Sequence, residues 1–190
     1  MEVNHKSIYY PPGGILMWII IYLELFTFGM AILALAYYGS LEREQFHADS
    51  QLLNKFTATI NTILLLTSGF FVAKAVHFFK EKKIEKTTQF MLWAILSGFG
   101  FLILKSYEYY EKIEMGLTMG KSSFFTNYWL LTGFHWIHVL VGLIILIFIR
   151  RSIQKSKTEA SLEDIEASAT FWHMCDIIWL LLYPVLYLLF

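Results

Sequence analysis

The stretch ATFWHMCDIIWLLLYPVLYLLF, residues 169–190, is apolar almost throughout, yet it carries His173, Cys175 and Asp176 near its start. It is long enough to cross a bilayer, which takes about 20 apolar residues as a helix. His173 and Asp176 stand three apart, so a helix puts them on one face. The same combination recurs in LLTGFHWIHVLVGLIIL, residues 130–146, where His135 and His138 are also three apart. In WIIIYLELFTFGMAILAL, residues 18–35, Glu24 is the single charged residue. A central charge costs roughly 2.5–3.5 kcal/mol on insertion scales, so such residues face protein or water and often mark function. The reading is an all-α membrane protein with polar groups inside its bundle.

Composition agrees. The chain has 190 residues, 57% hydrophobic, 18% aromatic and only 16% charged. Its mean hydropathy is +0.54. Soluble domains are near half apolar and a quarter charged. Formal net charge is zero, which gives nucleic-acid binding no support. Cys175 is the only cysteine, so no internal disulfide and no thiolate metal framework is available, and a small buried helix residue is expected there. The opening MEVNHKSIYYPPGG lacks the pattern of a signal peptide, and the first apolar stretch is expected to remain as a helix.

Five segments read as spans, at about 15–38, 57–79, 88–109, 125–149 and 170–190. The first follows the breaker PPGG. The joining stretches LEREQFHADSQLLNK, KEKKIEKTTQ, YEKIEMGLTMGKSS and RRSIQKSKTEASLEDIEA are short and charged, so residues 1–190 are expected to form one domain, a single transmembrane bundle. No internal repeat is present. Lys6, Lys80, Lys82, Lys83, Lys86, Arg150, Arg151, Lys155 and Lys157 fall on the N-terminal side, against Arg43, Lys55, Lys112 and Lys121 on the other. The positive-inside rule then predicts a cytoplasmic N-terminus and a C-terminus on the outer, periplasmic side. Tyr9, Tyr10, Tyr109, Tyr110, Tyr128 and Trp129 lie near predicted ends, as an aromatic belt would. Gly29, Ser68, Gly69, Ser97, Gly98, Gly100, Gly133 and Gly142 are candidates for close helix approach.

Glu24 lies roughly 14 Å into the first span at 1.5 Å per residue. It reads as a neutral acid bonded to a neighbouring helix, as a proton-handling group, or as a contact to lipid or another subunit. The last two spans are expected to be antiparallel neighbours, so His135 and His138 could meet His173 and Asp176 as an interhelical polar network. Three histidines and a carboxylate also leave a metal site or a haem ligand open. Tyr107, Glu108, Tyr110 and Glu111 form a polar outer end to the third span, with Lys105 expected as an interface anchor that snorkels or pairs with Glu108. KEKKIEKTTQ reads as a solvated loop near anionic head groups. Pro184 is expected to kink the last helix or strain it locally. No phosphate-binding loop, Ser–His–Asp arrangement or haem-attachment motif is present.

The wording of these segments goes further. GFHWIHVLVG (133–142) resembles the paired-histidine helix of haem-copper oxidase subunit III. FWHMCDIIWLLLYPVLY (171–187) resembles that family's last helix, and WIIIYLELFTFG (18–29) its helix with a carbodiimide-reactive buried carboxylate, here Glu24. LKSYEYY (104–110) is similar to its Glu–Tyr helix end at Glu108 and Tyr109, and LNKFTATINTILLLTSGFFVAKAV (53–76) to the second helix of its shorter members. The order of these motifs resembles the five-helix form, without the two N-terminal helices of the seven-helix form, and leans towards the nitric-oxide-reductase-associated subgroup. The resemblance implies a non-catalytic subunit of a terminal oxidase in a bacterial cytoplasmic (inner) membrane. It implies no haem or copper of its own, lateral packing on subunit I, contact with subunit II and other small membrane subunits, support of proton uptake, and bound phospholipid. An accessory subunit of a nitric oxide reductase is the alternative within the family. From other classes, a small proton-coupled transporter or a haem-binding anchor would also use Glu24 and the histidines, although no matching halves or broken-helix pairs are present.

Overall fold

The computed structural model describes residues 11–155 and 161–190. Lys6, Tyr9, Tyr10 and Lys157 lie outside the described residues. Five long helices carry the expected spans: α1 (Ile15–Leu41), α3 (Lys55–Lys80), α4 (Ile84–Glu114), α5 (Ser123–Lys155) and α6 (Leu162–Tyr187). Between α1 and α3 lies a short helix, α2 (Arg43–Ser50), in a stretch the sequence presents as a polar loop. Each of these five is long and apolar enough to cross a membrane.

Most spans run beyond their apolar stretch because polar turns continue the helix where caps allow. Asn54 starts α3 by accepting the Thr57 N–H at 3.1 Å. Ser161 starts α6 eight residues ahead of the apolar run, in a capping box with Asp164: Asp164 N donates to Ser161 Oγ at 3.0 Å and Ser161 N to Asp164 Oδ2 at 3.1 Å. Inside the spans, hydroxyls bond back to their own helix, as in Thr27 to Leu23, Thr62 to Ala58 and Thr132 to Tyr128. This satisfies them where water is excluded. α6 continues through Pro184 to Tyr187, so proline sits in its last turn and does not end it.

α3 and α4 form the most extensive pair, α6 packs on α3 and α5, and α4 packs on α5, with α1 attached along α6 and α5. α6 is the most buried span and α1 the least. The key wedge is Trp172 of α6, which is fully buried. A Cβ on Gly98 of α4 would lie 2.8 Å from its Cη2, and one on Gly142 of α5 would lie 2.8 Å from its Cε3. Two of the expected small residues therefore form a slot for one indole. Gly69 likewise makes room for the Asp176 carboxylate, whereas Gly29 and Gly133 face open surface.

The two ends of the bundle differ. At one, Lys80 pairs with Glu166 at 2.7 Å, Arg150 Nε donates to Thr88 O at 3.1 Å, and Gly13 (φ +78°) runs against the backbone of Ala167. At the other, α2 closes the bundle with Phe46, packed against Phe124 and Phe190. Ser122 Oγ donates to Asp49 Oδ2 at 2.6 Å, and Lys112 Nζ to Leu52 O at 2.6 Å.

Candidate functional site

The strongest polar inclusion gathers three helices around Lys105. α4 supplies Lys105 and Glu108, α5 supplies Tyr128, and α6 supplies Tyr187. Lys105 Nζ donates to Glu108 Oε2 at 3.0 Å, Tyr128 Oη at 3.1 Å and Tyr187 Oη at 2.7 Å. Both phenols donate to Glu108 Oε1 at 2.7 Å. Every ammonium proton and both carboxylate oxygens are thus used. The rings of Tyr109, Tyr128, Trp179 and Tyr187 surround the ammonium, with centroids 4.8–5.4 Å away, close enough for cation–π attraction. The Lys105 and Glu108 side chains are each 1% exposed.

Two expectations change here. Lys105 is a core residue and does not snorkel to the interface. Tyr128 is fully buried and belongs to the core, away from any aromatic belt. The physical reason is that a complete partner set makes a buried ion pair tolerable. The spacing of Lys105 and Glu108 signals their pairing, but Tyr128 and Tyr187 come from distant sequence. Tyr109 flanks the cluster, stacked at a tilt on Trp129 at 4.8 Å, while Tyr107 and Tyr110 are exposed.

The second inclusion joins α1 to α5. His138 Nε2 lies 3.3 Å from Glu24 Oε1. His138 Nδ1 is 2.8 Å from the Phe134 carbonyl, which can only accept, so Nδ1 carries a proton. A hydrogen bond between Nε2 and the Glu24 carboxyl needs a proton on one of the two atoms. Both side chains keep some surface, 13% for His138 and 19% for Glu24. Phe28 packs edge-on to His138 and stacks on Phe134 beside the pair.

His135 is separate. It is fully buried, stacked on Trp179 at 5.3 Å and edge-on to Phe101 at 5.8 Å. Its ring nitrogens have no hydrogen-bond partner among the described residues. His173 Nδ1 lies 3.2 Å from Asp176 Oδ2 within α6, and that carboxylate rests against Gly69 of α3. The four residues therefore fall into three places: His138 with Glu24, His173 with Asp176, and His135 among aromatics. No hydrogen bond joins the α5 histidines to the α6 pair among the described residues. Groups of three or more His, Cys, Asp or Glu able to hold a metal are absent among the described residues.

The sequence is similar to those of known proteins. The sequence model of the family described as cytochrome c oxidase subunit III matches residues 13–189. The chain is 36% identical over 129 residues to cytochrome c oxidase subunit 3 of Drosophila melanogaster, covering 67% of this chain and 48% of that protein. It is 36% identical over 137 residues to the Petromyzon marinus protein of that name, covering 71% and 51%. Against the Spodoptera frugiperda protein it is 35% identical over 129 residues, covering 67% and 86%. The chain thus spans about half the length of most of these curated relatives.

Proposed function

This chain belongs to the cytochrome c oxidase subunit III family, and from that premise we propose that it is the non-catalytic subunit III of a respiratory haem-copper terminal oxidase. In this reading residues 1–190 act as one membrane domain that packs laterally on the large subunit carrying the haem and copper. Subunit II and smaller membrane subunits complete the assembly, and phospholipid fills the remaining surface. The chain sits in a bacterial cytoplasmic membrane with its lysine-rich end inward, as the positive-inside rule directs.

The observation that carries the reading is the Glu24–His138 pair. It lies between α1, the least buried span, and α5, and it keeps surface on both partners. A carboxyl within hydrogen-bond reach of an imidazole at a lipid- or subunit-facing seam suits the support of proton uptake by a neighbouring subunit. The closed Lys105 cluster, with His173 and Asp176, serves to hold the helices in register.

The test is purification through a tag on this chain in mild detergent, with mass spectrometry of the partners and a haem spectrum of the eluate. A haem- and copper-bearing large subunit that consumes oxygen supports the proposal. A partner that consumes nitric oxide instead moves the chain to the reductase branch. A colourless, folded, solitary chain overturns the subunit reading.

A further inference from the structure

The closed Lys105 cluster also sets two phenols on one base. A phenol that loses an electron keeps its radical when its proton leaves as well, to a base within about 2.6–3.2 Å. Tyr128 and Tyr187 each donate to Glu108 Oε1 at 2.7 Å. The two are not equivalent. Lys105 Nζ donates to Tyr187 Oη at 2.7 Å and to Tyr128 Oη at 3.1 Å. The Tyr187 oxygen is therefore the better held once its own proton has gone. Tyr187 also stacks on Tyr183, one turn earlier on α6, at 5.7 Å and 26°. The oxidisable neighbours of Tyr128 stand edge-on to it instead, Tyr109 at 6.3 Å and Trp129 at 5.8 Å. Stacked rings overlap and pass an electron more readily than edge-on ones.

Tyr183 is the outward end of this stack. It is partly exposed, on the same helix as the exposed Leu180 and Leu181. Its Oη lies 2.8 Å from Thr59 Oγ1, and Thr59 gives its own proton to the Lys55 carbonyl at 2.8 Å. Tyr183 is therefore the donor in that bond. A threonine hydroxyl is no base for a phenol, so Tyr183 has nowhere to leave its proton, whereas Tyr187 has the Glu108 carboxylate. An electron lost from Tyr183 is then made good from Tyr187. Tyr107 and Tyr110 also face carboxylates, Glu111 and Glu114, but both phenols are exposed. Water reaches them, and exclusion of water is what protects a reactive intermediate from side reactions. Tyr187 is 1% exposed.

We infer that Tyr187 and Glu108 form a reversible one-electron donor site that reduces peroxyl radicals of the surrounding lipid through Tyr183. One electron passes from Tyr187 across the stacked rings to Tyr183 and on to the peroxyl radical. The radical becomes a hydroperoxide anion, which takes its proton from water. The phenolic proton of Tyr187 moves to Glu108 Oε1 along the 2.7 Å hydrogen bond, leaving a neutral tyrosyl radical and a neutral carboxyl. Lys105 still donates to the Tyr187 oxygen and to Glu108, so the cluster keeps its geometry. The proton stays at hand for the return, and a later electron restores the phenol and the carboxylate together. The inference rests on this chain's own side chains and is independent of the oxidase proposal.

The experiment uses the full chain in nanodiscs of saturated phosphatidylcholine. A lipophilic azo initiator in air supplies peroxyl radicals, and samples frozen at intervals are read by electron paramagnetic resonance. The wild-type chain should accumulate a neutral tyrosyl signal. Tyr187→Phe, which keeps the ring, should lose on the order of tenfold or more of that signal. Tyr128→Phe should retain it. Tyr183→Phe leaves Tyr187 and its base in place and should form the signal on the order of tenfold more slowly. The double variant Lys105→Met, Glu108→Leu removes the base and should lose the signal while its helix content and thermal transition report a folded chain. Tyr183 is partly exposed, so its variant tests the route without disturbing the cluster. No tyrosyl signal in the wild-type chain, an undiminished signal in Tyr187→Phe or in the folded double variant, or an unchanged rate in Tyr183→Phe would each overturn the assignment.

Discussion

Lys105–Glu108 and Glu24–His138 both put ionisable groups inside an apolar bundle, and they are built on opposite plans. The first is closed on all sides by residues of α4, α5 and α6, and all of its donors and acceptors are used. The second joins only α1 and α5, at 3.3 Å, and keeps surface on both partners. Closure fixes charge in place and ties it to stability. Partial exposure leaves the second pair open to whatever lies beside it. The contrast separates a pair enclosed by the fold from a pair that keeps surface.

The largest test of this contrast removes one member of the closed pair. Lys105→Met alone, or Glu108→Leu alone, should cost about 3–5 kcal/mol, because the survivor is left as an uncompensated buried charge. The double variant should recover at least half of that. Unfolding in mixed micelles measures all three, and additive losses would break the claim that the cluster acts as a closed unit. Tyr187→Phe should cost less, about 1.5–3 kcal/mol, since it removes hydrogen bonds to charged groups but keeps the ring. Gly69→Ala should cost about 1–3 kcal/mol, because the added methyl meets the Asp176 carboxylate and forces a shift there.

The smallest stability effect belongs to the open pair. Glu24→Gln should change stability by less than about 0.5 kcal/mol, as substitutions outside the closed core do. Under the proposed function it should leave the chain able to co-purify with a haem-copper large subunit, yet slow proton uptake or shorten turnover lifetime of that assembly. Loss of assembly in that variant would place Glu24 with Lys105 among the structural charges and erase the distinction.

The spans were legible because apolar runs of that length have few alternatives. Their ends were less so: the Ser161–Asp164 box extends α6 through polar sequence that hydropathy discounts. α2 was hidden because its eight residues bury only Phe46 and Ser50, too few to make a period. The His173–Asp176 pairing follows from helical spacing alone. Glu24 and His138 each stand out, but that they face one another depends on how α1 lies against α5, which no local pattern encodes. Lys105 was misjudged for a related reason. Its place near the end of an apolar run suggests an anchor, and the partners that make its burial tolerable come from Tyr128 and Tyr187, far along the chain.

The position of α6 also has a consequence for how the protein is made. Of the five spans described, this helix leaves the ribosome after the other four, although it is the most buried and touches α1, α3 and α5. Until it enters the membrane, the slot between Gly98 and Gly142 has no indole to fill it, and Lys105 and Glu108 lack the Tyr187 hydroxyl. α6 thus supplies both the indole that fills the slot and the phenol that completes the charge cluster. A chain cut before α6 should therefore leave Lys105 and Glu108 short of one partner each inside the bilayer, and so be less stable than the full bundle.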